Sequence, residues 1–282
     1  MNTTMTEAVG PLLGRVATIW RYPVKSMMGE ELNASDVTEH DLLGDRQYAL
    51  IDVETGKIAS AKNPRRWPNL FDFRAQYVEP AGGGQSLPAI RITLPDGESL
   101  RTDEADVEQH LSAAVGRSVR LARSPSASAS AEGYWPDHAW LAQRDEFFEF
   151  PLSAGTFFDA AAVHLVTTAT LDRLRTSSPA SRFEVARFRP NFVIQAADGY
   201  EGFVENAWIG QTLALGEVQL RIDEPCPRCI MTTLSQGSLP KDPGVLRSVV
   251  QENGGNVGVY ATVVAGGRVR RSDAVCFVAA KR

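Results

Sequence analysis

Short apolar runs, each stopped within a few residues by a proline or glycine turn, restrict this chain to an architecture of many brief strands. Arg15–Arg21 (RVATIWR) alternates and ends at Tyr22-Pro23. Tyr48–Val53 meets Glu54-Thr55-Gly56, and Ala89–Leu94 (AIRITL) meets Pro95-Asp96-Gly97 before returning through Ser99–Thr102. A period of two buries one strand face, and Pro-Asp-Gly supplies the reversing turn. The same grammar continues in Val163–Thr167, Asn191–Ala196, Thr212–Leu215 with Val218–Ile222 around Gly216-Glu217, Val257–Val264 and Val275–Ala279.

Helical stretches are few. Asp103 reads as the cap of a helix with an apolar stripe of Val107, Leu111, Ala114 and Val115, stopped by Gly116. Leu171 and Leu174 mark another. Asp242-Pro243 starts a third, with Leu246, Val249 and Val250 inward and Gly254 beyond its end. A capping carboxylate, proline at the first helical position and a closing glycine are the expected punctuation. The fold class predicted is α+β, mainly β: a barrel packed with a smaller β-rich N-terminal domain.

The 282 residues suit two domains. The compositional break is SPSASASA, Ser124–Ala131, whose small polar residues offer nothing to bury. The sequence therefore predicts an N-terminal domain over 14–123, a linker over 124–133 and a C-terminal domain over 145–279. The Gly cluster at 81–85 reads as a loop. A net charge of −5 argues against nucleic acid as a partner but permits a local cationic pocket. The start MNTTMTEAVG carries neither a basic segment nor an apolar run, and no stretch reaches the ~20 apolar residues of a membrane span. The expectation is a cytoplasmic protein without a membrane partner, its three cysteines reduced.

Two of those cysteines stand together in Pro225–Cys229, PCPRC. Three chemistries suit such a pair. A redox pair needs a βαβ setting with the first cysteine opening a helix; half a zinc site needs further ligands at finger spacing. In the third, one thiolate serves a soft metal, with Arg228 favouring the deprotonated form. Two buried small residues after a strand are the alternative without chemistry. Lys25-Ser26, Arg46 after Gly44-Asp45, and Arg189 with Asn191 in RFRPN suit a phosphate and a polar heterocycle, although each alone is also an ordinary surface charge. Asp159, after two aromatics, is a proton donor, a cofactor hydrogen-bond partner or a turn cap. His164 reads as a core residue, and His138, in WPDHAW, as loop structure. No nucleophile elbow, Walker loop or dinucleotide fingerprint occurs.

In order along the chain stand Tyr22–Ser26 (YPVKS), Gly44–Arg46 (GDR), Phe188–Asn191 (FRPN), Pro225–Thr233 (PCPRCIMTT) and Val257–Ala261 (VGVYA). From about Gly14 to Ala279 the chain thereby resembles the molybdenum cofactor sulfurase C-terminal (MOSC) domain with its N-terminal β-barrel companion, as in the amidoxime-reducing component family. The resemblance implies molybdenum ligation by Cys229. It implies cofactor contacts from Lys25, Ser26, Arg46, Arg189, Asn191 and Arg228, with Thr167, Thr168 and Tyr260 lining the pocket. Asp159 would lie near the metal as a proton relay, Cys226 would not bind metal, and Cys276 would be core.

The activity implied is reduction of a small N-hydroxylated substrate, N–OH to N–H, on a molybdopterin cofactor. Its electrons would come from a separate flavin, haem or iron-sulfur protein. The alternative is a carrier that passes on cofactor or sulfur without turnover; a structural protein on a degenerate scaffold would bind neither molybdenum nor pterin.

Overall fold

The computed structural model describes residues 9–82, 86–123, 129–137, 143–153 and 155–279. The elements run β1 (Val9–Arg21), β2 (Glu30–Leu32), β3 (Ala34–Val37), β4 (Ala49–Asp52), β5 (Arg74–Tyr77), β6 (Ile90–Thr93), β7 (Ser99–Arg101), α1 (Val107–Val115) and β8 (Val119–Ala122). There follow β9 (Ser130–Trp135), β10 (Glu146–Pro151), β11 (Val163–Thr167), α2 (Thr168–Ser177), α3 (Val185–Phe188), β12 (Phe192–Ala196) and β13 (Thr212–Leu215). The chain closes with β14 (Val218–Pro227), α4 (Pro243–Asn253), β15 (Asn256–Ala265), β16 (Gly267–Arg270) and β17 (Ala274–Val278).

The main sheet is ordered β12-β11-β15-β14-β13-β17-β1-β2, and β1 also pairs with β12. That last pairing closes seven strands into a barrel, leaving β2 as an extension beside β1. Closure removes the two free edges that an open sheet would expose. The long β1 serves three neighbours: β17 through its first part and β12 through its middle, with register breaks in both ladders, and β2 through Ile19–Arg21. Of the barrel pairings only β11 and β12 are parallel, and such a pair needs a crossover, which α2 and α3 supply. The barrel is filled by inward residues such as Leu13, Ile19, Leu165, Phe192, Leu213 and Val259.

The N-terminal half builds smaller sheets, β5-β6-β7, β4-β8 and β9-β10, while β3 pairs with β16 from the other half. Its core gathers Trp67, Phe71, Phe73, Ile90, Ile92 and Leu111. Because β1 is a barrel strand and β3 joins β16, the two halves share sheets as well as a packing surface. Of the stretch read as linker, 124–128 lie outside the described residues and Ser130–Gly133 belong to β9. His138 also lies outside them. The architecture is mainly β with a closed barrel, as the sequence predicts.

Two helix details differ from the sequence reading. Asp103 does not cap α1, which begins at Val107; its carboxylate is held by the Arg101 guanidinium through two bonds of 2.8 and 2.9 Å. In α4 the inward stripe is Val245, Leu246 and Val249, whereas Val250 is 40% exposed. The remaining punctuation holds: Asp242 Oδ1 accepts from the Gly244 N–H at 2.8 Å, and Gly116 and Gly254 adopt the left-handed conformation (φ 73° and 58°). Among the described residues no helix is long and apolar enough to cross a membrane.

Candidate active site

A cavity of about 320 Å³ opens between the barrel and the N-terminal half. It is lined by five cationic side chains, Lys25, Arg46, Lys62, Arg189 and Arg228, and by one carboxylate, Asp159. Ser26, His164, Asn191, Cys229 and Tyr260 add to its polar surface, while Trp135, Phe148, Phe158 and Phe188 supply aromatic walls.

The barrel delivers its share through strand ends. Pro225 and Pro227 give β14 an irregular register against β15, because proline brings no N–H to the ladder. The strand stops there, and the Arg228 N–H bonds the Gly255 carbonyl at 2.8 Å. Cys229 follows in extended conformation at the head of a short 3₁₀ turn, Ile230–Thr233, its carbonyl accepting from the Thr232 N–H and hydroxyl. Its half-buried thiol is thus placed on a fixed backbone at the cavity wall. Arg228 donates to the Cys226 sulfur at 2.6 Å and to the Phe188 carbonyl at 2.9 Å, and its buried Nε has no partner. Cys226 and Cys276 are buried.

Three cavity residues hold strained backbone. Ser26, Arg46 and Arg189 take positive φ of 63°, 47° and 53°, and only Asp145 and Ser272 join them among described non-glycine residues. Each such conformation costs about 1–3 kcal/mol and persists only where surrounding contacts enforce it. Those contacts are visible. Arg189 donates to the Met27 carbonyl at 2.7 Å and lies over the Tyr22 ring at 4.2 Å. Fully buried Asp45 accepts from the Tyr22 N–H at 2.6 Å, from Asn191 Nδ2 at 3.0 Å and from Arg46, binding three motifs into one knot. The Ser26 hydroxyl accepts from the Ala61 N–H at 3.0 Å and so places the neighbouring Lys62.

Electrostatics follow from burial. Desolvation brings the Lys25 ammonium down to about 8, against the pull of Asp159, and brings Arg189 down to about 10. Burial opposes the Asp159 charge, but Lys25 and Lys62 outweigh it and hold the carboxyl well below the usual range. Lys25 bonds both Asp159 and the Phe157 carbonyl (2.8 Å), and Lys62 reaches the second Asp159 oxygen at 3.0 Å. Asp159 is 27% exposed at the cavity mouth. Burial, reinforced by Arg228, pushes His164 down to about 3, so it is neutral at pH 7 with Nε2–H donating to the Val257 carbonyl at 3.0 Å. Gly258 makes room for that ring. Its φ is +75°, and a Cβ there would collide with His164 and with the Leu165 carbonyl.

The MOSC domain model matches residues 153–276, and the MOSC N-terminal beta barrel domain model matches residues 13–141. The chain belongs to the MOSC domain family. It is similar to mitochondrial amidoxime reducing component 2 of Rattus norvegicus, at 22% identity over 79% of this chain and 67% of the relative. The Homo sapiens counterpart is 26% identical over the same shares. Molybdenum cofactor sulfurase of Drosophila grimshawi is 26% identical over 85% of this chain, which spans 31% of that protein.

In this MOSC protein nine of the eleven residues singled out from the sequence line one cavity: Lys25, Ser26, Arg46, Asp159, Arg189, Asn191, Arg228, Cys229 and Tyr260. Thr167 and Thr168 do not. A strand rises about 3.3 Å per residue, which carries Thr167 some 10 Å along β11 beyond His164. There its hydroxyl donates to buried Glu205 at 2.7 Å and accepts from the Thr170 N–H at 3.2 Å, capping α2. Thr168 Oγ1 accepts from the Ala196 N–H. Lys62 and His164 are cavity residues that sequence reasoning missed as such. Lys62 looks like an ordinary charge in AKNPRRW, and His164 is both a satisfied core residue and part of the wall. Its register opposite Tyr260, which brings it to the cavity, exists only in the strand pairing, and no sequence signal marked it.

Proposed function

We propose that this chain is a molybdenum-cofactor-dependent oxidoreductase that reduces N-hydroxylated compounds, taking electrons from a separate redox protein. The observation that carries this reading is a cysteine thiol set beside five cationic side chains that face a single carboxylate. Among the described residues no group of three or more His, Cys, Asp or Glu is placed to hold a metal ion. A metal held here through Cys229 therefore has to arrive with ligands of its own, as in an anionic organic cofactor. The donor set fits that group: a soft thiolate for a sulfur-ligated metal, guanidinium forks for phosphate, and the unpartnered Arg228 Nε as a spare buried donor.

When bound, the cofactor supplies the two-electron chemistry that converts N–OH and two protons into N–H and water. Cys229 is the metal ligand. Lys25, Arg46, Arg189 and Arg228 neutralise and orient the cofactor's anionic groups, assisted by Ser26 and Asn191. Asp159 stays ionised at neutral pH. It organises Lys25 and Lys62 and, held so far below neutrality, is a poor carrier of protons in either direction, while Lys25, brought down toward neutrality, is the better proton store. Neutral His164 and Tyr260 close the barrel side.

The test is turnover of a simple amidoxime by protein purified from a cofactor-competent host, with a chemical electron donor. Reduction to the amidine is expected, and Cys229→Ser should bring it to background. Protein that carries molybdenum, never turns over and delivers it to a recipient enzyme would instead support the carrier reading.

A further inference from the structure

The two faces of the β9–β10 hairpin are chemically unlike. Register places Ala131 opposite Phe150, Gly133 opposite Phe148 and Trp135 opposite Glu146, all on one face. The other face carries Glu132 opposite Glu149 and Tyr134 opposite Phe147. This second face is fastened down. Lys57 bridges Glu132 and Glu149 at 2.7 and 2.8 Å, Arg66 meets Glu132 at 3.0 Å, and the Tyr134 hydroxyl donates to Asp145 at 2.7 Å. With its back tied, the hairpin turns the first face toward the cavity, and Trp135 and Phe148 form part of its wall.

On that face the aromatic rings lie against small residues of the opposite strand. Gly133 is not in a left-handed conformation; a Cβ at this position would run into the Phe148 ring. The residue is small because the ring lies across it, the cross-strand aromatic-on-glycine arrangement that orders a side chain without further contacts. Trp135 lies beside Phe148 with ring centroids 5.1 Å apart and a tilt of 31°, and Phe150 continues the row at 5.9 Å with a tilt of 38°. The Lys62 ammonium sits 4.3 Å over Phe150, joining the row to the cationic floor. A half-exposed aromatic row held rigid at the mouth of a charged cavity has surface left to stack a planar guest.

We infer that Trp135 and Phe148 form a stacking shelf that selects planar, conjugated N-hydroxylated substrates, such as aryl amidoximes, over small aliphatic hydroxylamines. This rests on the reductase reading. The shelf seats the conjugated part of the substrate and so points its N–OH group inward past Lys62 and Asp159.

The test uses the cofactor-loaded protein, with benzamidoxime and N-methylhydroxylamine as probes. Binding of benzamidoxime without electron donor is followed by calorimetry, and KM and kcat are measured for both probes. Trp135→Leu and Phe148→Leu keep apolar bulk but remove the ring. Each should weaken benzamidoxime binding and raise its KM on the order of five- to tenfold, with kcat and the N-methylhydroxylamine KM little changed. Trp135→Phe should restore most of the loss. Equal losses on both probes, unchanged values, or loss of pterin and molybdenum would each overturn the shelf, the last by showing that the rings seat the cofactor. Ring-dependent benzamidoxime binding without turnover of either probe would support the shelf and overturn the reductase reading. Turnover of both with an unshifted ratio would do the reverse.

Discussion

The two walls of the cavity are held by different forces. On the barrel side Arg189, Asn191 and Arg228 are fixed by bonds to backbone carbonyls and to buried Asp45. Across the cavity Lys62, Asp159 and the β9–β10 hairpin are held by ion pairs and ring contacts nearer to water. Buried hydrogen bonds cost much to break, whereas exposed ion pairs contribute little and are screened by salt. A fixed wall suits a constant ligand such as a resident cofactor. An adjustable wall suits guests that vary.

The largest effect should come from the support behind the fixed wall. Fully buried Arg187 donates to the carbonyls of Arg182, Thr232, Leu234 and Pro240, tying the segment after Cys229 to α3. Arg187→Met orphans these acceptors and should cost about 3–5 kcal/mol in urea unfolding. A loss under about 1 kcal/mol would show that this segment is not anchored there.

Acid should next separate the walls. His164 is neutral when folded, with its pKa lowered to about 3, while the unfolded chain takes up the proton near 6.5. Its contribution is therefore fully present above about pH 6.5 and is lost as pH falls toward 3. Between pH 7 and 5 this amounts to about 2 kcal/mol, seen as the difference between the pH dependence of the wild type and of His164→Gln. Parallel curves would contradict the buried, neutral imidazole.

On the adjustable wall the effects should shrink. Asp159→Asn removes the charge that pairs with both lysines and should cost about 1–2 kcal/mol, because Asp159 and Lys62 are part-exposed and the amide oxygen can still accept from buried Lys25. The folded pKa is lowered, so the contribution is present above the unfolded value near 4 and disappears as pH falls on through the folded one. Unfolding midpoints of the variant and wild type should thus converge only in strong acid. The smallest change belongs to Lys57→Ala on the back of the hairpin: an unfolding midpoint close to wild type, but faster amide exchange in β9 and β10. Unchanged exchange would mean that the ion pairs do not hold the shelf.

This contrast also explains what the sequence could reveal. The fixed wall was legible because its motifs are local and chemically marked: Lys25-Ser26, Gly44-Asp45-Arg46, Arg189 with Asn191, and Cys229. The strand punctuation likewise placed most barrel strands and the ends of α4. The adjustable wall was hidden apart from Asp159. Ala131 and Gly133 belong to a small-residue stretch that resembles a linker, and their purpose, giving room to Phe150 and Phe148, exists only across the β9–β10 register. Lys62 gains its role from a partner at position 159, which no local pattern reports. The three- and four-residue strands β2, β3 and β16 were too short to carry a period, and Thr167 at the end of β11 and Thr168 at the start of α2 lay too far along to reach the cavity.

The central claim is that these walls enclose a molybdenum-pterin cofactor with Cys229 on the metal. Its most direct test is molybdenum by elemental analysis and pterin by fluorescence after oxidation, on wild type, Cys229→Ser and Arg189→Gln from a cofactor-competent host. Wild type is expected to carry molybdenum and pterin in equal amounts; Cys229→Ser should lose or mis-ligate the metal, and Arg189→Gln should lose both together. Wild-type protein that carries neither under these conditions would contradict the claim.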